Sequence, residues 1–317
     1  MSMMPPPPGR WRLIGFALSA IGAMLFAIKS VLIKLIYVYH VDSTTLLMLR
    51  MLLSLPVYIA IGLIEWRRRP PAMRPDTHSI WLACLVGILG FYISSWLDLE
   101  GLQSIEAQIE RLTLFTYPFL VLLFGRLIFK HPLHWHALAG ALISYTGLIV
   151  IFGGDSSRLT PMALKGTGLV AAAAATFALY QLFAREMIVK CGATLFTAIA
   201  MTAAGVAIFA HFLLTHRSAS IDLPAPAWGL VLTLAIFGTI LPSFLMSAGT
   251  ARIGAQGTAI IATLSPVVTI AFAVAMLHEP FGVSEAAGTF LVLAGVGLFS
   301  LIDNRIATRS AKRRHQS

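Results

Sequence analysis

Residues 101–118 read GLQSIEAQIERLTLFTYP, and residues 249–266 read GTARIGAQGTAIIATLSP. The two stretches stand 148 positions apart, and the same shift aligns residues 82–152 with 230–300 without a gap. Under it Gly90 meets Gly238, Ser95 meets Ser243, Gln108 meets Gln256, Pro118 meets Pro266, Pro132 meets Pro280 and Gly147 meets Gly295. Apolar matches are cheap in so apolar a chain, but glycine and proline each impose a backbone condition. The sequence is written twice.

What surrounds these stretches sets the solvent. Of the 317 residues 58% are apolar and only 11% charged, against about 25% charged in a soluble domain. Apolar runs near the roughly 20 residues a membrane span requires recur near 12–37, 43–64, 78–98, 102–128, 133–152, 166–185, 192–214, 226–248, 254–277 and 283–302. The pattern predicts an all-α integral membrane protein of ten transmembrane helices. A transmembrane barrel would instead show short segments of alternating polarity. Five spans per copy is an odd number, so the second copy enters the membrane upside down relative to the first. Two inverted repeats are a recurring plan of secondary transporters, with the substrate site at the repeat interface. The expected division is a cytoplasmic tail at 1–11, a five-helix repeat at 12–152, a connection at 153–165, a second five-helix repeat at 166–303, and a basic tail at 304–317.

The net charge of +10 invites a nucleic-acid reading until it is mapped. With alternating spans and a cytoplasmic N-terminus, the clusters at Arg67, Arg68 and Arg69 and at Arg305, Arg309, Lys312, Arg313 and Arg314 fall inside. Lys34, Arg158, Lys165 and Arg217 are left outside, while Lys29, Arg50 and Arg111 lie within spans. This is the positive-inside pattern, and it sets both termini in the cytoplasm. The basicity reports topology rather than nucleic-acid binding, and the tail can touch anionic lipid head groups. Cys84 and Cys191 have no partner spacing and leave the redox compartment open.

The paired blocks quoted above resemble the EamA repeats of the drug/metabolite transporter superfamily. Each is followed by a Pro-containing turn and a Gly-rich helix, KHPLHWHALAGALISYTG in the first copy and HEPFGVSEAAGTFLVLAG in the second. Many members carry Gly-Glu-Arg or a similar turn. This chain keeps Glu279 and Pro280 in the second copy but has Lys130 and His131 in the first. The resemblance spans roughly residues 12–303. It implies ten helices, location in a bacterial inner membrane, and export of amino acids or related amphipathic compounds, often coupled to a proton gradient or run as exchange.

Within the first block, Gln103, Glu106, Glu110, Thr113 and Tyr117 follow one another at spacings of 3, 4, 3 and 4 and would form one polar stripe on a helix. A charge at mid-span costs about 2.5–3.5 kcal/mol, so the stripe is expected to face other helices or a substrate cavity rather than lipid. A carboxyl in a partly dry cavity has its pKa raised. Glu110 therefore has two readings: a proton or substrate site, or a structural ion pair. Arg111 could pair with Asp98, and Lys29 with Glu106 or Glu110 unless it snorkels. Arg50 is expected in a structural pair or backbone contact. The second copy offers Gly254 and Thr258 on the corresponding stripe, so polar recognition is expected in the first half and room in the second. Tyr92, Trp96, Tyr117 and Tyr180 are candidate cavity walls. Pro118 and Pro266, read as mid-helix prolines, are candidate kinks or hinges.

His131, His134 and His136 in HPLHWH match no common zinc spacing, and no cofactor is expected. Gly140, Gly147, Gly288 and Gly295 repeat every seven residues and suit close helix packing, with a homodimer face as the alternative use. No GxSxG, HExxH or P-loop is present, so the expected activity is transport rather than catalysis. The partners expected are a small-molecule substrate and membrane lipid, without nucleic acid. A lipid scramblase or flippase-like protein is the alternative, and an intramembrane enzyme stands behind it.

Overall fold

The computed structural model describes residues 9–130, 135–154, 156–216, 223–262 and 264–314. Among them the regular structure is helical throughout. The chain runs α1 (Gly9–Tyr37), α2 (Ser43–Arg68), α3 (Thr77–Gly87), α4 (Ser94–Leu102), α5 (Ala107–Leu114), α6 (Tyr117–Phe129) and α7 (Trp135–Gly154). It continues through α8 (Pro161–Cys191), α9 (Ala193–Thr215), α10 (Ala225–Ala235), α11 (Leu241–Ala262), α12 (Leu264–Leu277) and α13 (Val283–Arg314). Among the described residues seven stretches are long and apolar enough to cross a membrane, from Leu13–Tyr37 to Ala225–Met246. Leu138–Gly154, Leu264–Leu277 and Val283–Leu298 are shorter apolar helices. Helices suit this composition because each satisfies its own backbone donors and acceptors where water is absent. Large side chains such as Leu127, Ile149 and Phe290 lie outward and exposed, as an apolar solvent permits.

The duplicated sequence folds into duplicated irregularities. α3 passes into α4 through a π-helical segment at Ile88–Ile93, and α10 passes into α11 through another at Ile236–Ile240, the same place under the 148-residue shift. Lys130 and His278, also equivalent, both hold the left-handed conformation, with φ of 56° and 54°. Pro118 sits at the second position of α6, just after the break at Phe115–Thr116, which corrects the expectation of a mid-helix kink there: proline's missing N–H costs nothing in a first turn. Pro266 lies in α12, described from Leu264; residue 263 before it lies outside the described residues.

The copies exchange partners. α1 packs along α10, α11 and α12 of the second copy, while α8 packs along α3, α4, α5 and α6 of the first. α7 packs on α13 and α2 on α9. Where α7 crosses α13 the contacts obey the repeat. A Cβ on Gly147 would lie 2.5 Å from the Gly288 carbonyl oxygen, and one on Gly288 would lie 2.5 Å from that of Gly147. Gly295 is pressed equally hard against the backbone of Gly140. These glycines are consumed inside the chain, which removes them as a homodimer face. The sequence places a turn near 249–253, but α11 continues to Ala262. His131 and His134 lie outside the described residues, as do the side chains of His136, Gly254 and Thr258 and those of the C-terminal tail.

Candidate functional site

A cavity of about 230 Å³ opens where the two copies meet. Its wall includes Gly90 with Gly238, Phe91 with Thr239, and Ser95 with Ser243, three pairs related by the repeat. The site therefore lies on the axis that relates the copies. The π segments place it there: their wider turn spreads the backbone, and Gly90 and Gly238 leave room beside it. In one copy the ring of Tyr180 covers Gly90; in the other the stem of Lys29 lies 3.7 Å from a Cβ on Gly238.

Charges from α1, α2, α4 and α5 converge here. Lys29 Nζ donates to Asp98 Oδ2 at 3.0 Å, with Asp98 almost wholly enclosed. Arg50 lines the cavity and is 4% exposed, yet its side chain makes no hydrogen bond or ion pair with any described residue. Several hydroxyls on the wall are occupied. Tyr58 bonds Ser243 Oγ at 3.1 Å, Ser243 donates to the Thr239 carbonyl at 2.6 Å, and Ser94 donates to the Ala173 carbonyl at 2.9 Å. Behind the wall Glu110 is fully buried, and neither of its oxygens receives a donor. Asp98 is the carboxyl beside it, near enough for the two to interact. Arg111 donates to the Phe26 carbonyl at 3.2 Å and to Ser30 Oγ at 2.7 Å.

The end of the bundle where α1 finishes is bridged between the copies. Arg158 donates through Nη2 to Glu106 Oε2 at 2.9 Å and through Nη1 to Glu285 and to the Ile151 carbonyl. Glu279 accepts the N–H of Ala107 at 2.6 Å and that of Gln108 at 3.2 Å, so a carboxylate of the second copy caps a helix of the first. Burial pushes the Glu279 carboxyl above the usual range, against the pull of those two N–H groups. Gln108 Nε2 completes the bridge to the Pro280 carbonyl at 2.8 Å and to Glu106 at 3.0 Å. Beside it lies a second, polar hollow lined by Lys34, Gln103, Glu106, Phe152 and Arg158.

The stripe expected at Gln103, Glu106, Glu110, Thr113 and Tyr117 does not run along one helix. Glu106 is extended, α5 ends at Leu114, and the chain restarts at Tyr117. Gln103 bonds Ser43 Oγ at 2.5 Å, Thr113 is buried with its hydroxyl unpartnered, and the Tyr117 ring meets Phe177 edge-on. Lys29 pairs with Asp98, in place of the expected Arg111–Asp98 pair and of Lys29 with Glu106 or Glu110. Tyr92 bonds His211 at 3.0 Å, Trp96 bonds Thr44 at 3.0 Å, and Tyr180 packs among Phe91, Phe177 and Phe196. Sequence reading missed Arg158 and Glu285 as a buried pair. The one signal was a pair of charges at the edges of apolar runs, which loops also carry.

Comparison with known proteins agrees with this architecture. The chain matches the EamA-like transporter family twice, over residues 13–153 and 164–301. It is 30% identical over 287 residues to the uncharacterized transporter YcbK of Bacillus subtilis (strain 168), covering 87% of this chain and 90% of that protein. It is 25% identical over 288 residues to the uncharacterized transporter YetK of the same organism, covering 89% and 86%. A solved structure, described only as the crystal structure of a protein, superposes with a TM-score of 0.64 at 21% identity and covers 94% of this chain and 98% of its own.

Proposed function

The chain belongs to the EamA-like transporter family, and on that premise we propose that it exports small metabolites by alternating access through the cavity between its repeats. The observation that carries this is the position of the cavity on the axis relating the copies, with walls drawn from both. Two near-equivalent halves can exchange conformations, and each exchange opens such a cavity to the opposite side. In this reading the repeats are 12–152 and 166–303, ten helices cross a bacterial inner membrane, and both termini lie in the cytoplasm. The Arg158 and Glu279 bridges then close the outer face. Amino acids and related amphipathic compounds are the substrate class. Asp98 and Glu110, with Lys29 and Arg111 beside them, form the coupling site, where one proton is shared and released. The groove between α2 and α9, lined chiefly by apolar residues such as Ile59, Leu63, Leu195 and Ile199, lacks the polar track a lipid head group would need.

The test is solute loss from proteoliposomes preloaded with amino acids, nucleosides and amphipathic cations, followed by mass spectrometry against empty liposomes. Selective, saturable loss of one class is expected. Retention of every solute by folded, inserted protein would contradict the proposal.

A further inference from the structure

Among the described residues, Arg50 is the cation of the cavity wall whose side chain has no hydrogen bond or ion pair. The other cations of the cluster are engaged, Lys29 by Asp98 and Arg111 by the Phe26 carbonyl and Ser30. Arg50 is hydrogen-bonded, among the described residues, only through its carbonyl, which accepts from Ser54 Oγ at 2.8 Å, while its Nε is sealed from solvent without an acceptor. Lys29, Arg50 and Arg111 stand near two carboxyls among the described residues: Asp98, which attracts Arg50 as well as Lys29, and Glu110. The cluster therefore keeps one surplus positive charge even with both ionised. An uncompensated charge at this depth is costly, and a guanidinium fork matches a carboxylate bidentately.

We propose that Arg50 is the receptor for a carboxylate on the substrate, so that the cavity takes small organic acids with an apolar body. This deepens the carrier reading and rests on it. The remaining wall suits such a body: Phe26, Met51, Phe91, Leu114, Phe177 and Met201 surround the space. An apolar cavity of about 150 Å³ already holds benzene, and the volume here is about 230 Å³. An amine gains less, because Lys29 already neutralises Asp98 through Oδ2 and leaves only Oδ1 without a partner among the described residues. Amino acids and their deaminated acids are accepted alike, and what they share is the carboxylate.

Three probes with one body decide this: 3-phenylpropionate, 3-phenylpropionamide and 3-phenylpropylamine, titrated against the full chain in nanodiscs with thermal unfolding as the readout. The acid is expected to bind at least about tenfold more tightly than the amide or the amine, the scale of a hydrogen-bonded charge. Arg50→Gln abolishes that preference, and Arg50→Lys keeps part of it because the charge stays while the fork is lost. Equal binding of the three, binding of none, or a preference that survives Arg50→Gln would overturn the proposal. Should Arg50→Gln not fold, the wild-type series alone decides. Proteoliposome flux of the same probes separates the two readings. Acid that binds but is not moved refutes the carrier and leaves the receptor. Other solutes moved equally well by Arg50→Gln protein refute the receptor and leave the carrier.

Discussion

Glu110 is a fully buried carboxyl with no hydrogen-bond partner among the described residues. Its neighbour Asp98 is a second carboxyl already engaged by Lys29. Neighbouring like charges cannot both ionise cheaply, and the proposed coupling site holds one proton between them. Glu110→Gln mimics that protonated form, and it is expected to flatten the pH dependence of flux while leaving the protein folded. Flux measured across a pH series in proteoliposomes checks this, and an unchanged profile would remove the proton role. The Lys29–Asp98 pair makes a separate prediction. Lys29→Met strands a buried carboxylate and should cost about 3–5 kcal/mol, while Lys29→Met with Asp98→Asn should recover most of the loss. Thermal unfolding of the two variants tests it, and equal destabilisation would show that the pair carries no such coupling.

At the scale of helices, close packing rather than polarity sets the geometry. Gly147 and Gly153 lie on the same helix, α7, but a Cβ on Gly147 would strike the Gly288 carbonyl and Leu291, whereas one on Gly153 meets nothing within 4 Å. Gly147→Ala should therefore destabilise by about 1–3 kcal/mol. Gly153→Ala should be neutral or stabilising by up to about 1 kcal/mol, since alanine is the better helix former. Unfolding of both variants in one detergent is the check. This scale is also where the sequence was most legible. Glycines and prolines recurring under one shift announced the repeat, because each marks a backbone event that the structure then makes twice. Helix ends were less legible. Periodicity cannot register a break such as that at Phe115–Thr116, and the stripe drawn through it was broken with it. The pairing of Lys29 with Asp98 lay beyond sequence reading for a different reason. Partners 69 positions apart are chosen by the packing of α1 against the other helices, which no local pattern encodes.

Across the whole molecule, a symmetric frame carries an asymmetric lining. The shift that sets Gly90 on Gly238 and Ser95 on Ser243 gives the cavity its two-fold walls, while Lys29, Arg50 and Asp98, all from the first copy, give it one charged side. In the proposed carrier such a frame exchanges between two arrangements of nearly equal energy, and the bridge of Arg158 to Glu106 and Glu285 would bias that exchange by holding one face shut. The central claim is that the cavity opens to each side in turn. The measurement is the labelling rate of Ser95→Cys, in protein with Cys84 and Cys191 replaced, by a membrane-impermeant thiol reagent applied to oriented vesicles from either side. The account predicts labelling from both sides, with Arg158→Gln raising the rate from the outer face and lowering it from the inner one. Labelling from one side only, unchanged by Arg158→Gln, would contradict it.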